Sequence, residues 1–262
     1  MPEKKSPAKK SAAIKKSSAA KTSSIQKVPA PWNLTGHGYI FLYKFSKKFV
    51  EQSGNFPDFL SGTFAGGFGA VMLVDYEKSD AGPYGEFLFI PGKFKFNKKR
   101  LNNISKIYVS SMTSVQNGRA NWAIPKELAD FKFTKLDDST EQITITQPSQ
   151  NKKTSATNSN STDTIAEITI KSGHLHFPVS TKLMPFPLVQ KQDDKLFFTN
   201  FFGKGRGSLA KIKSIKINGD QFPDISICKP IAVVKVDPFD ITFPEAVIQT
   251  LPLPKVYSKI LY

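Results

Sequence analysis

The most constraining feature of this chain is a succession of short aromatic and β-branched runs, each bounded by Gly, Pro, Asn or Asp. Such runs suit extended strands, and their punctuation suits tight turns between antiparallel neighbours. Candidates fall at 39–45, in the second half of 62–76, and at 85–91, 104–111, 131–134, 142–146, 165–170, 196–202, 209–217 and 231–236. A mainly β fold follows, an antiparallel sheet or barrel. Helix is expected only around 45–53, in a turn near 125–130 and in a terminal piece after Pro244. The glycines in the first half of 62–76 point to bends or close backbone approach. The sequence has no internal repeat.

The first 30 residues stand apart from this pattern. They hold eight lysines against a single acid, Glu3, so they carry seven of the sixteen excess positive charges. The remainder is Ser, Ala and Pro, with too little apolar surface to offset the entropy of ordering. Residues 1–30 therefore read as a disordered basic arm, and 31–262 as one folded domain. Residues 147–164, rich in Ser, Thr and Asn between two strand candidates, read as a mobile hairpin insertion. At 262 residues and 39% hydrophobic, the chain is ample for a real core.

The arm fits more than one partner. Lysine runs dock on nucleic acid or acidic surfaces by counterion release, and paired lysines fit a nuclear address. A mitochondrial transit peptide would favour arginine, which residues 1–30 lack. A solvated tail is the plain alternative. The lone Cys228 excludes an internal disulfide framework and a multi-cysteine zinc site, which points to a reduced, intracellular, by default cytoplasmic setting. No apolar run reaches the ~18–20 residues that span a bilayer, and no signal-peptide core is present.

Serine-hydrolase elbows, P-loops, dinucleotide fingerprints and HExxH motifs are absent. Gly203-Lys204-Gly205-Arg206-Gly207 has the glycine content of a phosphate nest but not the P-loop spacing, and reads as a basic turn between strands. His174 and His176 would share one face of a strand, yet a zinc site wants three or four ligands. No metal or cofactor is assigned.

Two stretches carry more information. One runs from Ser114 through Gly118-Arg119 and Trp122 to Pro125-Lys126; the other is Tyr84-Gly85-Glu86, continuing to Ile90-Pro91. In these motifs the sequence resembles the acetoacetate decarboxylase superfamily, loosely from Trp32 to the C-terminal strands. The resemblance implies a curved antiparallel sheet closing into a cone-shaped barrel with few short helices, and a homo-oligomer. It also implies a Schiff-base nucleophile at Lys126 and an active-site carboxylate at Glu86. Tyr84, Arg119, Trp122 and His37 would be substrate-binding, with Arg119 anchoring a carboxylate or holding Glu86.

Physical chemistry sets the demand on such a lysine. At a pKa of about 10.4 only about one lysine in 2,500 is neutral at pH 7, so an apolar pocket would have to disfavour the ammonium. Trp122, Ala123, Ile124 and Pro125 supply an apolar wall next to Lys126. Read from residues alone, Arg119 and Glu86 equally suit a structural pair between strands, and Lys126 a surface lysine opening a short helix. The chain departs from the family at three places: Glu127 stands where a second lysine follows the nucleophile, Ala120 where glutamate follows the Gly-Arg, and His37 at or near an active-site arginine. Losing a neighbouring cation leaves desolvation to depress the lysine, and losing an arginine weakens recognition of a keto acid.

The expected function is a lyase forming a Schiff base between Lys126 and a small oxo acid or β-dicarbonyl compound. Replacing Lys126 by alanine is expected to abolish turnover with little loss of stability. The alternative is a non-catalytic β-barrel binding module whose arm contacts nucleic acid or an acidic partner.

Overall fold

The structure is a computed structural model that describes residues 26–96, 98–148 and 163–251. The arm up to residue 25, nearly all of the 147–164 insertion and the chain beyond 251 lie outside the described residues. The elements run β1 (Trp32–Tyr43), α1 (Lys47–Ser53), β2 (Gly69–Lys78), β3 (Tyr84–Ile90), β4 (Lys93–Phe96), β5 (Lys99–Asn102) and β6 (Lys106–Val109). There follow α2 (Met112–Trp122), β7 (Lys126–Leu128), β8 (Asp130–Lys135), β9 (Thr140–Thr146) and β10 (Thr164–Ser180). The chain continues through β11 (Leu188–Gln192), β12 (Lys195–Thr199), β13 (Phe202–Ile217), β14 (Ala232–Phe243) and β15 (Val247–Thr250).

Ten strands form one sheet in the order β7-β6-β3-β2-β1-β14-β13-β10-β9-β8, and five form a second, β15-β12-β11-β5-β4. The large sheet bends almost into a barrel. Its two edge strands, β7 and β8, are separated in sequence by Ala129 alone. Gly85 of β3 lies so close under β8 that a Cβ there would fall 2.8 Å from the Phe131 ring. No helix among the described residues is long and apolar enough to cross a membrane.

Alternation of side chains across the sheet decides where the chemistry sits. Val71, Leu73, Phe87 and Phe89 point to one face and join a core with Tyr39, Phe41, Ile143 and Ile168. Tyr76, Tyr84, Leu88 and Ile90 point to the other face and join Trp32, Leu34, Ile107, Val109 and Trp122. Both faces of β2 and β3 are covered, which explains their nearly continuous apolar character. Glu86 falls on the second face by parity. The register sets Glu86 beside Val109 and Leu128, and Leu88 beside Ile107 and Lys126, so Glu86 and Lys126 face the same side two strands apart.

Four sequence expectations are corrected. The stretch 125–130 is strand, not helical turn: β7 adds in parallel to β6. The segment after Pro244 forms β15 against β12. Gly203–Gly207 lies inside β13, paired to both β10 and β14, rather than in a turn. Finally, α2 forms where no helix was expected: of its buried residues only Val115 and Trp122 are apolar, the others being Ser114, Asn117 and Gly118, so no continuous apolar stripe announces it. Ser111 caps it by accepting from the Ser114 amide at 3.3 Å, and Ala123 in the left-handed region ends it.

Residues 26–28, within the stretch read as the arm, pack against α2. Val28 is buried against α2, its amide donating to Asn117 Oδ1 at 2.7 Å and its carbonyl accepting from Asn121 and from the Trp32 indole. Asn117 additionally donates to the carbonyls of Gln26 and Thr113, both at 2.9 Å. Asn117→Ala is therefore expected to strip three hydrogen bonds at a buried position and to destabilise the fold by about 2–3 kcal/mol. Urea unfolding should show a lower midpoint with an unchanged slope; a midpoint equal to wild type would refute this role.

Candidate active site

Lys126 is only 4% exposed and Glu86 only 5%. Lys126 opens β7 directly after the Ala123–Pro125 corner, and its stem runs back along α2. A lysine ammonium has three donors, and all three are engaged: Glu86 Oε2 at 3.0 Å, Ser114 Oγ at 2.9 Å and the Tyr84 hydroxyl at 3.4 Å. Glu86 Oε1 accepts from the Tyr76 hydroxyl at 3.0 Å. The ammonium also lies 5.0 Å from the Tyr84 ring centroid and 5.8 Å from that of Trp32.

The helix is shaped around this lysine. Ser114, Gly118 and Trp122 recur every four residues and so form one stripe along α2. Ser114 binds the amine, Trp122 walls the pocket, and Gly118 makes room. A Cβ at Gly118 would fall 2.7 Å from Lys126 Cδ and 2.9 Å from Cε. Arg119, one residue on, points outward and donates from Nε to the Lys126 carbonyl at 2.8 Å. The Gly-Arg pair thus positions the lysine stem and its backbone.

Around the amine is a narrow cavity of about 50 Å³, room for about one or two waters at ~30 Å³ each. Its walls are mostly apolar, Trp32, Leu34, Leu88, Ile107, Trp122 and Ile124 among them. Lys126 is the sole cation among the residues lining it.

Burial alone would pull the Lys126 amine down, the direction the apolar wall predicts. The Glu86 carboxylate and Tyr84, both against it, push it up further than burial pulls, and the net direction is upward. At rest the amine is thus held as the ammonium against Glu86. Burial pushes the Tyr84 hydroxyl up to about 12, against the opposing pull of Lys126, and drives Tyr76 well above the usual range with help from Glu86. Both phenols therefore remain proton donors at neutral pH.

Of the six residues the sequence nominated, Lys126, Glu86, Tyr84 and Trp122 meet in this pocket. Arg119 is not in it and does not pair with Glu86. His37 is not in it either; its Nδ1 sits 3.4 Å from Glu77. Glu127, one residue along a strand from Lys126, faces the opposite side and accepts from Lys106 at 2.7 Å, so its charge does not enter the site. Ser114, Tyr76 and Trp32 were not nominated. Parity could have placed Tyr76 beside Glu86, but Ser114 needed α2 to be recognised as a helix.

Gly118→Ala is expected to cost about 1–3 kcal/mol, since the overpacking of its Cβ against the buried Lys126 stem outweighs the helix preference of alanine over glycine, about 1 kcal/mol. The same change should displace the Lys126 stem and lower reaction at its amine at least tenfold. Thermal unfolding alongside amine labelling checks both halves; normal labelling would show that the glycine is not needed for the site.

The family model described as acetoacetate decarboxylase matches residues 21–188. No curated protein matches the chain. Among solved structures, an acetoacetate decarboxylase from Legionella pneumophila is 14% identical with a TM-score of 0.62, over 85% of this chain and 88% of that one. An acetoacetate decarboxylase-like enzyme from Sphingomonas wittichii RW1 is 10% identical with a TM-score of 0.58, covering 90% and 99%. The enduracididine biosynthesis enzyme MppR, complexed with the condensation product of pyruvate and imidazole 4-carboxaldehyde, is 12% identical with a TM-score of 0.55, covering 87% and 92%. At these identities the likeness establishes the mainly β, nearly closed fold.

Proposed function

The chain belongs to the acetoacetate decarboxylase family, and on that premise we propose that it is a lyase in which Lys126 forms a Schiff base with a small oxo acid or β-dicarbonyl compound. The observation that carries this reading is a buried lysine in an apolar pocket with a carboxylate 3.0 Å from its amine. A lysine kept only for structure gains little from that setting, since a buried ion pair is often no more stabilising than packed apolar residues.

Glu86 takes one proton from the Lys126 ammonium when a carbonyl compound enters. The freed amine adds to the carbonyl carbon, and the carbinolamine loses water to give an iminium. In a β-oxo acid the iminium draws the electron pair of the adjacent C–C bond, carbon dioxide leaves, and an enamine remains. Glu86 gives its proton to the departing hydroxyl as the carbinolamine loses water, so the enamine carbon takes a proton drawn from solvent, relayed through the Tyr76 hydroxyl that Glu86 accepts from. Water then releases the ketone and restores the ammonium. Ser114, whose Oγ accepts from the amine at 2.9 Å in the resting site, holds the nitrogen in place.

Incubation with acetoacetate, and separately with a panel of oxo acids and β-diketones, followed by borohydride and peptide mapping, tests the reading. A reduced adduct on Lys126 is expected, and its mass reports whether carbon dioxide was lost. Folded protein that yields no adduct with any of these compounds would overturn it.

A further inference from the structure

The Lys126 cavity is small, but it is not isolated. On the same face of the large sheet lies an apolar groove of about 300 Å³. The two share four walls: Met72, Tyr76, Phe201 and Ile241 line both. Beyond them the groove runs over Ile40, Val234 and Val236, beneath Phe177, Leu183 and Met184 from the end of β10 and the segment after it.

The sequence builds this groove deliberately in β13. Gly203, Lys204 and Gly205 line the groove, Lys204 being its one charged lining residue among those described, while Arg206 lines a separate polar cavity. A Cβ at Gly205 would fall 2.5 Å from a Val236 methyl, and one at Gly207 2.5 Å from a Val179 methyl. The first part of the glycine-rich run that resembled a phosphate nest, Gly203 to Gly205, thus lines an apolar groove. At the junction, Met72 is unbranched and flexible, the kind of side chain that can move aside between two cavities.

The charges agree. A carboxylate in the Lys126 cavity meets one cation, already paired with Glu86, and no second one among its lining residues. Recognition must then come mainly from apolar burial. We propose that the groove is a second subsite, which holds the apolar tail of a carbonyl compound whose reactive carbon sits at Lys126. This rests on the Schiff-base reading of that lysine. An apolar cavity of ~150 Å³ takes up benzene, so one of this size holds a tail of roughly eight to twelve carbons. Each methylene leaving water for it gains about fourfold in affinity.

The test is borohydride trapping on Lys126 with acetone, 2-butanone, 2-hexanone and 2-nonanone, in wild type and in Val234→Trp, which narrows the groove. Far-ultraviolet dichroism and unfolding first confirm that the variant is folded. In wild type the concentration giving half-maximal trapping is expected to fall at least tenfold from acetone to 2-nonanone, and the variant's ratio between the two ketones should shrink towards one. Equal trapping of all four ketones in wild type would overturn the tail subsite while leaving the Schiff-base lysine intact. Trapping of none would overturn both. Light scattering supplies the remaining arm: a dimer that Leu183→Glu dissociates would identify the groove's occupant as a second copy and overturn the proposal.

Discussion

Lys126→Met is expected to give no borohydride-reducible adduct with any carbonyl compound and to lose turnover completely, because methionine keeps the buried stem but has no amine. It should also be markedly less stable than wild type. Removing the ammonium leaves the Glu86 carboxylate buried with the Tyr76 hydroxyl as its remaining donor, and breaking one side of such a pair costs about 3–5 kcal/mol. Sequence alone suggested a nearly neutral substitution; the buried ion pair reverses that expectation. The control is the double variant Lys126→Met/Glu86→Gln, which removes the orphaned charge and should recover at least half of the lost stability while staying inactive. Recovery without activity separates the chemical role of the amine from its structural one. An adduct that still forms on the single variant would place the nucleophile elsewhere.

Glu86→Gln should change the pH dependence of adduct formation. In wild type the carboxylate holds Lys126 above its ordinary range, so trapping should climb with pH without levelling off below about 10. With glutamine the larger upward push is gone, that of Tyr84 remains, and burial, which disfavours the ammonium, gains weight. The rising limb should therefore move to lower pH. The maximal rate should fall about a hundredfold or more, since the proton acceptor for the amine is lost as well.

The stability of the same variant follows with opposite sign. A lysine raised in the folded state adds stability that is fully present below its unfolded pKa of about 10.4 and lost as pH rises through the folded value. A lysine lowered in the folded state subtracts stability at neutral pH and stops doing so once it is neutral. The gap between wild type and Glu86→Gln should thus narrow from pH 7 to pH 10 in urea unfolding. A gap that stays constant, with an unmoved rate limb, would show that Glu86 does not set the protonation of Lys126.

The legible parts of the molecule were those fixed by neighbours in sequence. Strand runs such as 85–91 and 165–170 announce themselves by composition, because β-branched and aromatic side chains fit a pleated surface wherever the strand ends up. Tyr84, Glu86, Trp122 and Lys126 lie in motifs whose spacing could be read directly. What misled was context. Arg119 sits beside the motif glycine in sequence, yet on α2 that places it a hundred degrees round the helix from Gly118, outside the pocket. Lys126 was read with its apolar sequence neighbours, and its strongest partner, Glu86, lies forty positions away.

The sequence by itself determined a mainly β chain with a basic, low-complexity start and a glycine-arginine to proline-lysine motif, since strand propensity, charge and local spacing are properties of adjacent residues. Tertiary structure alone decided that Lys126 rests as a paired ammonium, that Gly118 is the groove for its stem, and that Gly203 and Gly205 line an apolar groove. Each of these depends on the distance between side chains on different strands. Those distances are set by β-pairing register and sheet curvature, which no single segment carries.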